Sequence, residues 1–344
     1  MDAEELHRRR AQRAHARHRR MVRRRLTAAV VAVVLVVVIV VAVSALAGGS
    51  GTNASSLRGS PSGGAAITAG GHRHRATART SSTSSGRPPH GGDTAAALGT
   101  ATGPRGAVAV PVLMYHVIAP PPAGAPFPGL YVPAPEFTAQ MRALEAAGWT
   151  AVTLDQLRAN WTRGAKLPAG KPVVITFDNG YHSQFASALP VLRRLGWVAD
   201  ENIQLTGLPP SQGGLTASEV RSLVDAGWEL DTQGISHADL IALDASALHR
   251  QVVTARPILR KRYGVPVNWF CYPSGHYDAT VIAAVRAAGY VGSTTVIPGW
   301  ASPANDPYRL PRLRVLGGTS PNALLDQIAT SRAAAAPPSS YGRA

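Results

Sequence analysis

A single cysteine, Cys271, occurs in 344 residues, so no disulfide can form within the chain. Any folded part must rely on its apolar core. Cys271 lies between Phe270 and Tyr272 in an apolar, strand-like run, a setting that suits a small buried filler better than a nucleophile. Acidic residues are also scarce, with 19 Asp and Glu against 35 Lys and Arg, a formal charge of +16. The excess is uneven. Residues 1–25 hold ten Arg and three acids, residues 48–106 hold six Arg and one acid, and residues 107–344 hold nineteen basic against fifteen acidic side chains. A nucleic-acid-binding protein needs its basic face on the folded domain. Here the charge belongs to the first third, so no nucleic acid is expected as a partner.

Charge is wholly missing from 26-LTAAVVAVVLVVVIVVAVSALA-47, a run of 22 residues. That length can cross the hydrocarbon core of a bilayer as a helix. The block RRMVRRR directly before it fits a basic cytoplasmic segment over 1–25 and an extracytoplasmic remainder. Two readings share this orientation: a transmembrane signal-anchor, favoured by the length of the run, or a signal peptide cleaved after Ala47 at Ala45-Leu46-Ala47. The chain is thus expected at the cell membrane as a single-pass protein, or secreted if cleaved.

Residues 48–106 lack apolar periodicity. Gly, Ser, Thr, Ala and Pro dominate, a composition that cannot bury enough surface to offset its ordering entropy and suits a flexible linker. The HRHR at 72–75 is a solvated basic patch on composition. Residues 331–344, rich in Ala, Pro and Ser, are expected to form a disordered tail.

Between them, residues 107–330 alternate. Strand candidates are 108–116, 149–154, 172–177, 202–208, 228–232, 267–273, 290–296 and 309–315, several apolar throughout, as strands buried on both faces are. Helix candidates are 135–148, 184–195, 216–227, 245–264, 278–289 and 321–330. Their signals include a Thr or Ser N-cap with Glu near N3 at 216 and terminal Gly residues. Pro257 should kink or split the fourth of them. A β-α-β-α rhythm implies an α/β fold with a parallel sheet, open or closed as a barrel. In either case chemistry gathers at the strand C-termini. Those ends carry His116, Asp178-Asn179, the stretch Asp231 to His237, and Tyr272-Pro273-Ser274.

Five ordered segments, PVLMYHVI, ITFDNGY, WELDTQGISHADL, FCYPSGHYD and the pair AVRAAGYVGSTT with YRLPRLRV, resemble the polysaccharide deacetylase family, the NodB-homology domain. The resemblance implies a distorted (β/α) barrel, an N-acetylated cell-wall glycan as substrate, and a zinc-like divalent metal as cofactor. In its terms Asp178 is the catalytic base. The three metal positions are Asn179, Gln233 and His237, where the family has Asp, His and His. His116, Tyr272 and Pro273 would line the substrate groove, Ser274 stands where an aromatic is frequent, and no His occupies the late position near Leu313-Arg314-Val315.

The two substitutions act in the same sense. The metal would lower the pKa of bound water to about 7 and polarise the amide carbonyl. Zinc favours imidazole and carboxylate ligands, whereas Asn179 and Gln233 offer only neutral carbonyl oxygens. Three functions stay open: an active deacetylase with an altered metal site, a catalytically silent glycan binder, and an anchored scaffold. Ligand chemistry favours the second.

Overall fold

The structure is a computed structural model that describes residues 104–208 and 213–342. The expected membrane segment 26–47, the basic segment before it and the linker as far as residue 103 lie outside the described residues, and no helix among those described is long and apolar enough to cross a membrane.

Among the described residues nine strands form one sheet: β1 (Val110–Tyr115), β2 (Trp149–Val152), β3 (Lys171–Asp178), β4 (Asp200–Ile203), β5 (Glu229–Thr232), β6 (Trp269–Cys271), β7 (Gly292–Thr294), β8 (Trp300–Ala301) and β9 (Leu313–Arg314). Their order is β7-β6-β5-β4-β3-β1-β8, with β2 beside β3 and β9 beside β1. All pairings are parallel except that of β8 with β1. The sheet curls into a half-barrel. Thr294, at the end of β7, pairs with Leu310 on the segment leading into β9, and Leu313 of β9 pairs with Leu113 of β1.

Along β3 the side chains alternate. Ile175 and Phe177 join the outer core with Met141, Leu144, Leu192 and Trp228. Val174 joins a smaller plug with Val112, Leu154 and Trp269. Thr176 and Asp178, in phase with Val174, face inward, so the upper interior of the curl is polar. Among the described residues seven α-helices cover the outside: α1 (Ala134–Ala146), α2 (Leu154–Arg163), α3 (Leu189–Leu195), α4 (Ala217–Asp225), α5 (Ala245–Tyr263), α6 (Ala279–Ala287) and α7 (Pro321–Thr330).

Several elements differ from expectation. Helix α2 was not expected, although its signals are local: Thr153 and Gln156 form a reciprocal capping box, and Gly164 closes the helix at φ 70°. The strand expected over 202–208 lies earlier, at Asp200–Ile203, and begins with two acidic residues that sequence reasoning excludes from a buried strand. Helix α5 runs unbroken through Pro257, its inner face fixed by Val252, Ala255 and Leu259 in the core. The helix expected over 184–195 opens with a π-helical turn at Gln184–Ala188, the kind of widening that accompanies functional sites.

The C-terminal segment is also a correction. It is not a free tail up to residue 342. Tyr341 exchanges two backbone hydrogen bonds with Tyr277, at 2.7 and 2.8 Å. Pro338 O accepts from the Tyr277 hydroxyl at 2.8 Å, and Pro337 O accepts from Arg309 Nη1 at 3.3 Å. Buried Tyr277 supplies the reason, since its polar groups have no water to turn to. Deleting residues 337–344 should therefore destabilise the domain by about 2 kcal/mol, from a few net hydrogen bonds at roughly 1 kcal/mol each. Urea unfolding followed by tryptophan fluorescence measures it, and an unchanged midpoint would show the segment to be dispensable.

Candidate active site

The strand ends converge on Asp178, the last residue of β3, which is 2% exposed. Burial alone would raise the pKa of this carboxyl. Arg312, itself 1% exposed, reverses that. Its Nη1 donates to Asp178 Oδ1 at 2.8 Å and its Nη2 to Oδ2 at 2.9 Å. This fork is the strongest geometry available to a carboxylate. Asn202 Nδ2 donates to Oδ1 as well, at 3.0 Å. Against desolvation, Arg312 and these bonds hold Asp178 down to about 2. The rest of the guanidinium is also bonded: Nε donates to Thr295 O at 2.8 Å, Nη1 to Thr176 Oγ1 at 2.9 Å, and Nη2 to Cys271 Sγ at 3.2 Å.

Beside this pair, Asn179 takes a left-handed backbone conformation, φ 78°, one that Asn tolerates better than most residues. Its N–H donates to Asn202 O at 3.0 Å and to Gln233 Oε1 at 3.1 Å. Its side-chain Nδ2 donates to the same Gln233 oxygen at 3.3 Å. Gln233 Nε2 points on to Cys271 Sγ at 3.5 Å. Behind them, Gln184 Nε2 donates to Asp178 O and His116 O, at 2.9 and 2.7 Å, and so ties the ends of β3 and β1 together. The π-helical turn brings Gln184 to this position.

His116 Nε2 lies 3.9 Å from Asp178 Oδ2, and its Nδ1 is buried without a partner. Burial lowers its pKa to about 4, against the pull of Asp178, so the ring is neutral near pH 7. His237 has φ 54° and is half-buried. Burial lowers its pKa too, again opposed by Asp178.

A family description, Polysaccharide deacetylase, matches residues 165–293. The protein YxkH of Bacillus subtilis (strain 168), a polysaccharide deacetylase by name, is 29% identical over 215 residues, covering 62% of this chain and 74% of its own length. Among solved structures, the Streptococcus pyogenes deacetylase PplD in complex with acetate superposes with a TM-score of 0.60 at 26% identity, over 65% of this chain and 99% of that one. BC0361, a polysaccharide deacetylase from Bacillus cereus, gives 0.57 at 26% identity, over 64% and 69%. Over residues 165–293 the chain is thus similar to the polysaccharide deacetylase family, and its fold is that of the two solved deacetylases.

In this fold, Asp178, Asn179, Gln233, His116 and His237 gather at one strand-end mouth. Tyr272 and Pro273 do not serve as an open groove wall. Tyr272 is 1% exposed, its hydroxyl donates to Tyr308 O at 2.9 Å, and its ring stacks on Tyr277 at 5.0 Å; Pro273 is buried beside it. Two residues were missed by sequence reasoning. Arg312 carried no signal beyond being a basic residue in an apolar strand-like run, a placement that requires a buried acid. Gln184 carried none. Cys271 is buried as expected, but among polar groups, and burial pushes its thiol up to about 12, which leaves it inert.

Two of the residues at the three family metal positions, Asn179 and Gln233, do not fit a divalent metal. Gln233 Oε1 already accepts two hydrogen bonds from Asn179, and Asp178 is engaged on both oxygens by Arg312. The one grouping of His, Cys, Asp or Glu with metal-ligand spacing among the described residues is elsewhere, at Asp200, Glu229 and Asp231.

Replacing Arg312 with Met would strand a buried carboxylate and should cost about 3–5 kcal/mol. Chemical denaturation measures this, and a loss below about 1 kcal/mol would show that Asp178 does not depend on the guanidinium. The acid response follows from His116. A buried neutral imidazole whose folded pKa lies below its unfolded value costs stability as pH falls from 6.5 towards 4, where the unfolded chain binds the proton first. A shift of this size corresponds to roughly 3 kcal/mol across that window. Replacing His116 with Gln should flatten the unfolding free energy between pH 6.5 and 4 relative to wild type, and parallel profiles would refute the assignment.

Proposed function

We propose that this chain is a membrane-anchored, extracytoplasmic member of the polysaccharide deacetylase family that binds N-acetylated cell-wall glycan at the Asp178 mouth and does not hydrolyse it by the metal route. The observation that carries this reading is the closed bonding of the mouth. Asn179 and Gln233 bond to each other, and Asp178 is matched by Arg312. Without a metal, bound water keeps its ordinary high pKa, and amide hydrolysis lacks a nucleophile near neutral pH. Asp178, held at about 2, is a weak base for such a water. Recognition chemistry remains in an adjoining cleft, which shares Asn179 with the mouth. A cleft of about 190 Å³ beside Asn179 is lined by Gln204, Leu205, Thr206, Leu215 and Tyr263, the mix of amide, hydroxyl and apolar surface that a sugar ring and its acetamido group require. Anchoring rests on the uncharged run 26–47 and the arginines before it.

The test uses the detergent-solubilised full chain with an N-acetylglucosamine oligomer and with isolated cell-wall polymer. Saturable binding is expected, weakened at least tenfold in Thr206→Arg, with acetate release at the blank level with or without added zinc. Acetate release that disappears in Asp178→Asn would establish hydrolysis instead. No binding to either polymer would leave the scaffold reading. Fractionation of producing cells should place the chain in the membrane pellet, and recovery in the medium would indicate cleavage after Ala47.

A further inference from the structure

Beside and below the mouth three carboxylates meet: Asp200 and Glu229 on the rung of Thr176, two residues nearer the strand starts than Asp178, and Asp231 on the rung of Asn202. Asp200 opens β4, and Glu229 and Asp231 lie on β5, where Glu229 pairs with Asp200 across the ladder. Asp200 and Asp231 are fully buried, and Glu229 is half-buried. Each has one oxygen fixed by a backbone N–H. Leu154 N donates to Asp200 Oδ1, Asp155 N to Glu229 Oε2, and Trp269 N to Asp231 Oδ1, each at 2.9 Å. The second oxygen of each, Asp200 Oδ2, Glu229 Oε1 and Asp231 Oδ2, is buried without any partner. Asp155, next to them, is no substitute partner. Its two oxygens accept from Trp269 Nε1 at 3.1 Å and from Asn268 Nδ2 at 2.6 Å. Among the described residues no Lys, Arg or His forms an ion pair with any of the three.

A buried polar atom without a partner is rare, and three on neighbouring side chains require a common explanation. The geometry points to one divalent, oxygen-seeking cation of calcium size, held by Asp200, Glu229 and Asp231 at the foot of the half-barrel. One ligand oxygen from each residue lies within 4.8 Å of the others. Oxygens on a single calcium sit about 2.3–2.6 Å from it, hence up to about 5 Å apart across it. The set holds no nitrogen or sulfur, which suits calcium, magnesium or manganese rather than zinc or copper. The backbone donors fix each carboxylate in advance, so the free oxygens are oriented before the ion arrives. The ion would clamp the start of β4 to β5 and, through Leu154 N and Trp269 N, to the start of α2 and to β6. Its role is structural, as expected for the N-terminal end of strands in such folds, and it is separate from the glycan reading of the mouth.

The experiment is calorimetric titration of the chelator-stripped full chain in detergent with calcium, magnesium and manganese, paired with thermal unfolding. One site per chain is expected for at least one of these ions, with a rise of several degrees in Tm at saturation. The double variant Asp200→Asn, Asp231→Asn keeps both backbone acceptors and removes two charges, so it should fold while losing the binding isotherm. His237→Ala, in the mouth, should retain it. No isotherm for any of the three ions, with the double variant more stable than the stripped wild type, would mean that shared protons satisfy the oxygens and would overturn the inference. Binding lost in His237→Ala but kept in the double variant would move the ion to the mouth and overturn it equally.

Discussion

The buried pairing of Asp178 with Arg312 is the constraint on which the upper half of this domain depends. Arg312 precedes β9, yet its guanidinium reaches Asp178 and Thr176 on β3, Cys271 on β6 and the carbonyl of Thr295 just past β7. One planar side chain therefore joins segments that the sheet order places far apart, and it does so across the curl. Such a pair adds little net stability compared with apolar residues of similar size, because both ions must be stripped of water. Its effect is on specificity. Only the curled arrangement brings a guanidinium to Asp178, and a flatter sheet would leave each charge buried alone.

The same logic separates two layers of the interior. At the mouth, one carboxylate meets one guanidinium, and the charges balance. Next to it, Asp200, Glu229 and Asp231 share a small volume, and among the described residues no cationic side chain pairs with them. Burial pushes all three carboxyls well above the usual range, reinforced at Glu229 and Asp231 by the neighbouring acids. Asn202, on the same face of β4 as Asp200 and on the rung between Asp178 and Asp231, donates to Asp178. The polar core is thus graded along its axis. Its apolar plug, Val112, Val174 and Trp269, seals the foot where a wholly hydrophobic core would otherwise continue.

Much of this architecture was legible in the chain because strand ends and helix caps are local. The alternation over 107–330, the Thr216 capping box and the terminal glycines required only neighbouring residues. The residues expected at the mouth did meet there, apart from Tyr272 and Pro273, whose aromatic neighbours Phe270, Tyr277 and Tyr290 draw them into the core. What escaped was long-range. Arg312 is 134 positions from Asp178, and nothing in YRLPRLRV tells which of its arginines turns inward. The acidic layer escaped for a related reason. Asp200 and Glu201 look like a solvated turn in one dimension, and only the sheet shows them buried. The C-terminal segment was misjudged on composition, because its bonds to Tyr277 use backbone groups that every sequence possesses.

The substitutions at positions 179 and 233 take a different meaning from this geometry. A carboxylate and an imidazole placed there would need a cation between them. An amide facing an amide needs none, because each offers both donor and acceptor. Asn179 donates twice to the Gln233 carbonyl, and the Gln233 amide nitrogen continues to Cys271. The network closes on itself. Restoring an acid at position 179 alone would set an anion against the carbonyl oxygen of Gln233 unless the Gln233 amide turns its Nε2 towards it and leaves Cys271. The departure from the family's ligands is therefore an exchange at two positions that bond to each other, so the two substitutions are coupled.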